Sequence, residues 1–281
     1  MSGRGGPLEC PCEGRYFRPI FIYDGPPGGE TRFDASGHSY RREFTRCDAC
    51  GHFAGTHTMD LSRLYAGDYF TSTYGECGIR AAFDRINALE PAKSDNAGRV
   101  ARLLAFAADH WRARGVVRTP TILDVGSGLC VFLYCMKLAG WDATALDPDA
   151  RAVAHARDVV GVRALQGDFQ TADPPGPFDA ITFNKVLEHV RNPVAMLARA
   201  AGYLSREGFV YVEVPDGDAA SALGAGREEF FIDHWHAFSP ASLAMLGDRA
   251  GFRVHTLERL EEPSGKFTLR VFLVLRSEAA A

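Results

Sequence analysis

The chain has no run of about 18 apolar residues, so no segment reads as a membrane-spanning helix. Its opening, Met1-Ser-Gly-Arg-Gly-Gly-Pro7, lacks the apolar core of a secretion signal, and the expected location is the cytoplasm. Basic residues do not outnumber acidic ones: 31 Lys and Arg against 35 Asp and Glu leave a formal charge of −4. General affinity for nucleic acid is therefore not expected. Cysteine is sparse and odd in number, seven in 281 residues, which argues against a disulfide framework in a chain without a secretion signal. Internal repeats are absent. What is present is ordinary globular composition, 46% apolar and 23% charged, enough for one sizeable core plus a smaller unit.

A further absence is more telling. Thr121-Ile-Leu-Asp-Val-Gly-Ser-Gly-Leu-Cys130 reads as a buried strand and a tight glycine turn, and 131–139 continue at helical spacing. This opens a nucleotide-binding βαβ unit. A dinucleotide fingerprint would place a third Gly or Ala where Val131 stands. Asp124 would also sit badly beside a pyrophosphate and suits a ligand with cationic groups. Asp147 closes the next apolar run, where an acid can accept from both hydroxyls of a ribose. The set fits a cationic nucleoside better than it fits a nicotinamide dinucleotide.

Asp124-Val-Gly-Ser-Gly128, Leu146-Asp-Pro-Asp149, Gln166-Gly-Asp-Phe169, Phe178-Asp-Ala-Ile-Thr-Phe183 and Leu187-Glu-His-Val190 resemble, in order, the motifs of class I S-adenosylmethionine-dependent methyltransferases. The resemblance runs from about residue 116 onward. It implies that Asp124, Gly126, Ser127 and Gly128 hold the methionine part of the cofactor, Asp147 the ribose, Asp168 the adenine amino group and Phe169 an adenine face. Asn184 ends the fourth strand of the domain at the same mouth. Capping of the following segment is the structural alternative for Asp168.

In the first fifty residues Cys47-Asp-Ala-Cys50-Gly51 has zinc-knuckle spacing, and Cys10-Pro-Cys12 is its expected partner. A structural zinc site held by Cys10, Cys12, Cys47 and Cys50 is expected, because so small a segment has little core of its own. His52 or His38 is an alternative ligand; a redox pair or free thiols are alternative readings. With Leu64-Tyr-Ala-Gly-Asp-Tyr-Phe70, the segment is similar to the N-terminal modules of bacterial sugar C-methyltransferases. The domains are then a zinc-binding module over 1–60, an aromatic and helical connector over 61–115, and a methyltransferase domain over 116–281. Tyr65, Tyr69, Phe70 and Tyr74 either pack the module on the domain or cover the cofactor; the resemblance gives Tyr69 or Tyr74 the covering part.

Alternation of strands (122–125, 143–146, 164–166, 178–184, 209–214) with helices (96–114, 131–139, 150–160, 193–204, 240–250) specifies a doubly wound, mostly parallel sheet. Strands at 253–261 and 266–276 form a terminal hairpin, so one of them runs antiparallel. The fold expected is α/β, seven strands ending in that hairpin, plus the small module. The Gly-rich stretch 217–226 reads as a lid or a solvent loop.

Methyl transfer needs a base only if the acceptor must lose a proton. Four residues qualify for work at the acceptor: His236, His189, His234 and Glu188. His236 and His189 lead as the base, with packing among aromatics as the structural alternative and a metal site at His234 and His236 a minor one. The expected reaction is in-line methyl transfer to a small molecule, plausibly a sugar or secondary-metabolite intermediate, with no nucleic-acid or membrane partner and a possible homodimer. A degenerate scaffold and a nicotinamide-dependent oxidoreductase are the competing readings.

Overall fold

A computed structural model describes residues 8–30, 40–57, 59, 78–115 and 118–276. The chain begins with an antiparallel meander, β1 (Phe17–Tyr23), β2 (Arg42–Cys47) and β3 (Phe53–His57). Two helices follow, α1 (Gly78–Asn87) and α2 (Asp95–Arg112). The Ser94 side chain caps α2 by accepting from the Ala97 amide, supplying a partner that the first turn lacks. Its apolar stripe buries Leu103, Phe106 and Ala107, and the Phe106 ring stacks on Phe272 at 3.9 Å.

Strands and helices then alternate: β4 (Thr121–Val125), α3 (Val131–Leu138), β5 (Asp142–Asp147), α4 (Ala150–His155), β6 (Arg163–Gln166), β7 (Phe178–Asn184), α5 (Pro193–Arg199) and β8 (Leu204–Pro215). After α6 (Gly217–Ser221) and the two-residue β9 (His236–Ala237) come α7 (Pro240–Arg249) and the hairpin β10 (Phe252–Glu261) and β11 (Phe267–Leu275). The seven-stranded sheet has the order β10-β11-β8-β7-β4-β5-β6. Strands β8, β7, β4, β5 and β6 are parallel, and β11 runs against both its neighbours. The expected α/β fold with its terminal hairpin is the observed one.

Side-chain alternation along the central strands divides the core between the two faces of the sheet. Leu123, Val125, Ile181 and Phe183 pack with Met196 and Leu197 of α5 and Leu243 and Leu246 of α7. Ile122, Ala180 and Phe209 pack with Leu103 and Phe106 of α2 and Leu133 and Met136 of α3. Covered on both sides, β4 and β7 read as near-continuous apolar runs.

Two expectations needed adjustment. The helix drawn over 150–160 is α-helical only to His155 and finishes as a π turn over Ala156–Val160, stopped by Gly161 at φ 69°. Nor does the N-terminal sheet end near residue 60. β9, from the segment between β8 and α7, pairs antiparallel with β3 (Phe53↔Ala237, Ala54↔His236) and completes a four-stranded sheet. Gly217 lies against the Phe53 ring so closely that an added Cβ would fall 2.4 Å from it. With the Asp216 carboxylate capping α6 at the Ala219 amide, the first half of the supposed lid is packed structure. Among the described residues no helix is long and apolar enough to cross a membrane.

Candidate active site and metal centre

The carboxyl ends of β4, β5 and β7 meet at one mouth of the sheet. Between β4 and α3 the chain turns through Gly126 (φ 69°) and Gly128 (φ 48°), and Cys130 also takes a left-handed conformation (φ 59°). Gly126 is required twice over. An added Cβ would be strained and would lie 2.8 Å from Val186 Cγ2. The turn is held from β5: the Gly126 amide donates to Leu146 O at 2.8 Å and the Gly128 amide to Asp147 Oδ2 at 2.9 Å. Asp147 Oδ1 accepts from the Asp149 amide at 2.8 Å, so this acid shapes both loops at once. Burial raises its pKa. Ser127, also on the turn, has a buried hydroxyl without a hydrogen-bond partner among the described residues.

Asp124 lies beneath the turn, 2% exposed. Its Oδ1 accepts from Thr182 Oγ1 at 2.6 Å and from Asn184 Nδ2 at 2.8 Å. Burial pushes its pKa up to about 7 against the pull of those two donors. A carboxyl so placed gains most from a cationic ligand. Thr182, one β7 residue among several apolar ones, carried no signal in the sequence, yet it is the acid's shortest contact.

At the end of β6 the expected pair separates. Asp168 is exposed and its Oδ1 accepts from the Gln170 amide at 2.8 Å, the local capping arrangement. Phe169 is withdrawn into the core, 2% exposed, with Phe183 at 5.6 Å and Tyr203 at 5.9 Å between ring centroids. That packing corrects the expectation that Phe169 offers a face to adenine; a ring surrounded by core side chains has none to offer. Tyr69 and Tyr74 lie outside the described residues.

Beyond β7 the backbone strains at Lys185 (φ 59°), whose buried ammonium donates to Thr268 Oγ1 at 2.6 Å. The next turn carries Leu187-Glu188-His189, and segment 229–236 folds over it. The Trp235 amide donates to Glu188 O at 2.8 Å. His189 Nδ1 lies 3.0 Å from Asp233 O, and His234 Nδ1 lies 2.9 Å from Glu229 O. A carbonyl can only accept, so each ring carries a proton on Nδ1. The two rings lie 4.8 Å apart. Asp233 is held below the usual carboxylate range: burial opposes ionisation, but His234 and His189 outweigh it. Glu188 is 1% exposed and its Oε2 has no hydrogen-bond partner among the described residues. These three residues also bring one possible metal-ligating atom each within 4.8 Å of one another.

His236 does not belong to this group. Its side chain is fully buried, Nδ1 is 3.0 Å from Nε2 of the equally buried His52, and burial drives its pKa down to about 4. A ring sealed between β3 and β9 cannot meet a substrate, which corrects the leading place given to it. His52, whose Nε2 makes that contact, is not among the residues whose ligand atoms converge with the cysteines.

Those cysteines converge. Cys10 Sγ lies 3.3 Å from both Cys12 Sγ and Cys50 Sγ, and Cys12 Sγ lies 3.7 Å from Cys47 Sγ. Cys10-Pro-Cys12 reaches this arrangement despite its short spacing because the chain reverses at once, the Glu13 amide donating to Cys10 O at 2.9 Å with Glu13 at φ 60°. On the other arm Gly51 (φ 76°) donates to Cys47 O at 2.8 Å. All four are free thiols. Sulfurs on the corners of a zinc tetrahedron are separated by about 3.8 Å at Zn–S bonds of about 2.3 Å. The donor set and spacing fit zinc with small adjustments, and His38, outside the described residues, is not needed to complete four ligands.

The sheet order, the glycine turn and the acids at its mouth define a class I methyltransferase fold. The methyltransferase domain family matches residues 79–257, well over half of the chain, and the chain belongs to that family. It is 30% identical over 128 residues to the ubiquinone biosynthesis O-methyltransferase of Xanthomonas campestris pv. campestris (strain B100), covering 42% of this chain and 54% of that protein. It is also 30% identical over 162 residues to the same-named protein of Photobacterium profundum, covering 52% and 68%. The chain thus spans about half the length of the first of these curated relatives. In fold it is similar to the 1,6-didemethyltoxoflavin-N1-methyltransferase of Burkholderia thailandensis, with TM-score 0.52 and 21% identity, covering 90% of this chain and all of that one (100%).

Proposed function

We propose that this chain binds S-adenosylmethionine at the mouth of β4, β5 and β7 and transfers its methyl group to a small-molecule acceptor. One observation carries the reading: the Asp124 carboxyl is buried beneath the Gly126–Gly128 turn, hydrogen-bonded to Thr182 and Asn184 and without a cation in contact among the described residues. The α-ammonium of the cofactor's methionine part is the partner it lacks. Asn184, already bonded to Asp124, would extend to it; Asp147, which holds the turn, would take the ribose; and Asp168, exposed at the end of β6, would take the adenine side. The sulfonium is an activated electrophile, so alignment and exclusion of water supply most of the catalysis.

The acceptor lies against Glu188, His189 and His234. His189 Nε2 would take the proton that the acceptor's oxygen or carbon sheds, and S-adenosylmethionine bound at the Asp124 mouth would supply the methyl group. His234 and Glu188 contact the acceptor. Two curated relatives are O-methyltransferases by name, which supports an acceptor that must shed a proton. Sugars and related secondary-metabolite intermediates are such acceptors. Zinc at Cys10, Cys12, Cys47 and Cys50 is structural, four protein ligands leaving no open position.

Calorimetry with S-adenosylhomocysteine and, separately, NADH tests the cofactor. Binding of the first alone is expected. Binding of neither would support a non-catalytic scaffold, and binding of NADH alone an oxidoreductase.

A further inference from the structure

We propose that Glu30 and Arg42, both in the N-terminal meander, are positioning residues for the acceptor-side histidines; this rests on the reading of His189 and His234 given above. The two side chains form an ion pair at 2.7 Å and are 1% and 2% exposed. Each member of the pair grips the backbone of the segment that carries Asp233 and His234. Arg42 Nη1 donates to Phe230 O at 2.5 Å, and Glu30 Oε1 accepts from the Ile232 amide at 2.8 Å. Tyr40 bridges the two, and the guanidinium lies 3.6 Å from the centre of the Tyr23 ring. Two backbone groups are thereby fixed just before Asp233. The Gly55 amide then donates to Trp235 O at 2.9 Å just after His234. The histidine segment is pinned at both ends by the first sixty residues, while Asp233 O and Trp235 N tie it to His189 and Glu188 between those pins.

An ion pair buried this deeply adds little net stability, since desolvating two charges cancels most of their attraction. An apolar pair of similar volume would pack as well. It would not grip Phe230 O and Ile232 N. Geometry is what the charges contribute, and the meander is in this sense part of the acceptor site.

The test is imidazole nitrogen NMR on histidine-labelled full-length protein, with and without S-adenosylhomocysteine, comparing wild type with the double variant Glu30→Leu/Arg42→Met. The variant is expected to melt cooperatively, to bind S-adenosylhomocysteine within about twofold of wild type, and to leave the His52–His236 signals in place. His189 and His234 are expected to lose their fixed Nδ1–H tautomers, read as changed ring-nitrogen shifts. Unchanged His189 and His234 signals would overturn the proposal. Should the double variant not fold, Arg42→Lys keeps the charge but not the fork that reaches Phe230 O, and the same two outcomes decide. Failure of S-adenosylhomocysteine to bind wild type would defeat the proposed function instead, and the tautomer comparison would still report on positioning.

Discussion

If Asp124 pairs with the cofactor as proposed, its burial makes cofactor affinity depend on pH in a direction that can be worked out. In the unliganded protein its pKa is about 7, so near neutrality about half of the molecules carry a neutral carboxyl. The cofactor's ammonium pairs only with the ionised form, so binding below neutrality must expel a proton. If the bound pKa falls well below the assay range, affinity drops about tenfold for each pH unit below 7. Between pH 8 and pH 5.5 the dissociation constant of S-adenosylhomocysteine should rise roughly 30-fold, about 2 kcal/mol. Calorimetry at pH 6 in buffers of differing ionisation enthalpy should detect release of about 0.9 proton per ligand. Asp147, whose pKa is also raised, adds to the slope in the same sense, so the control is Asp124→Asn. That variant should bind at all pH values about as weakly as the wild type does at its acid end, leaving only the shallow residue due to Asp147. A dissociation constant for the wild type that stays flat from pH 5.5 to 8 would refute the pairing. Stability should run the other way. A carboxyl whose folded pKa is raised favours the folded state at low pH, and that contribution disappears as pH rises through about 7. Fully lost, it amounts to about 4 kcal/mol. The unliganded protein should therefore melt lower at pH 8 than at pH 6 on this account, and the ligand should narrow the gap.

Other outcomes follow from the same contacts. Asp147→Ala should weaken S-adenosylhomocysteine binding by about 1–3 kcal/mol, from lost ribose bonds and from release of the Gly128 amide; an unchanged constant would remove Asp147 from the site. His189→Gln should slow turnover of any accepted substrate by roughly 10²–10⁴ with cofactor affinity unchanged, and wild-type rates would leave no base there. Metal analysis should find about one zinc per chain, and chelation should lower the melting temperature; zinc-free protein of full stability would end the metal assignment. Glu213→Gln should destabilise by about 3–5 kcal/mol in denaturant titration, because Arg99 and Arg270, at 2.6 and 2.8 Å from that fully buried carboxylate, would lose their counter-charge.

How far the sequence went was set by the range of the interactions involved. The parallel sheet and its hairpin were legible because apolar runs, the Gly126–Gly128 turn and the alternation of periods are local. The four cysteines were legible because a knuckle is a local turn, and the irregular Cys10–Cys12 arm closed on it all the same. Phe169 and His236 went wrong for one reason: an aromatic or a histidine beside a motif looks the same whether it faces a cleft or the core. For His236 the decision lay with β3, some 180 residues earlier, through a pairing of two residues on each side. No periodicity announces a strand that short.

The charges hidden in the sheet mark the same limit and add a physical point. Glu213 and Arg270 face each other across β8 and β11, Arg99 reaches in from α2, and Glu262 closes the set onto Arg270 at 3.0 Å. Nothing in the sequence singles them out, since charged residues are seldom fully buried. Together they are a nearly neutral buried network directly behind the Asp124 mouth, where Arg99 helps draw down the pKa of Asp124. Its guanidinium is already satisfied by Glu213, so the help is partial, and Asp124 stays poised near 7 instead of ionising outright. A free arginine at that place would fill the cofactor's cationic role permanently. Pairing Arg99 with Glu213 leaves the acid short of a positive charge, which is what the proposed pairing with a cationic ligand requires.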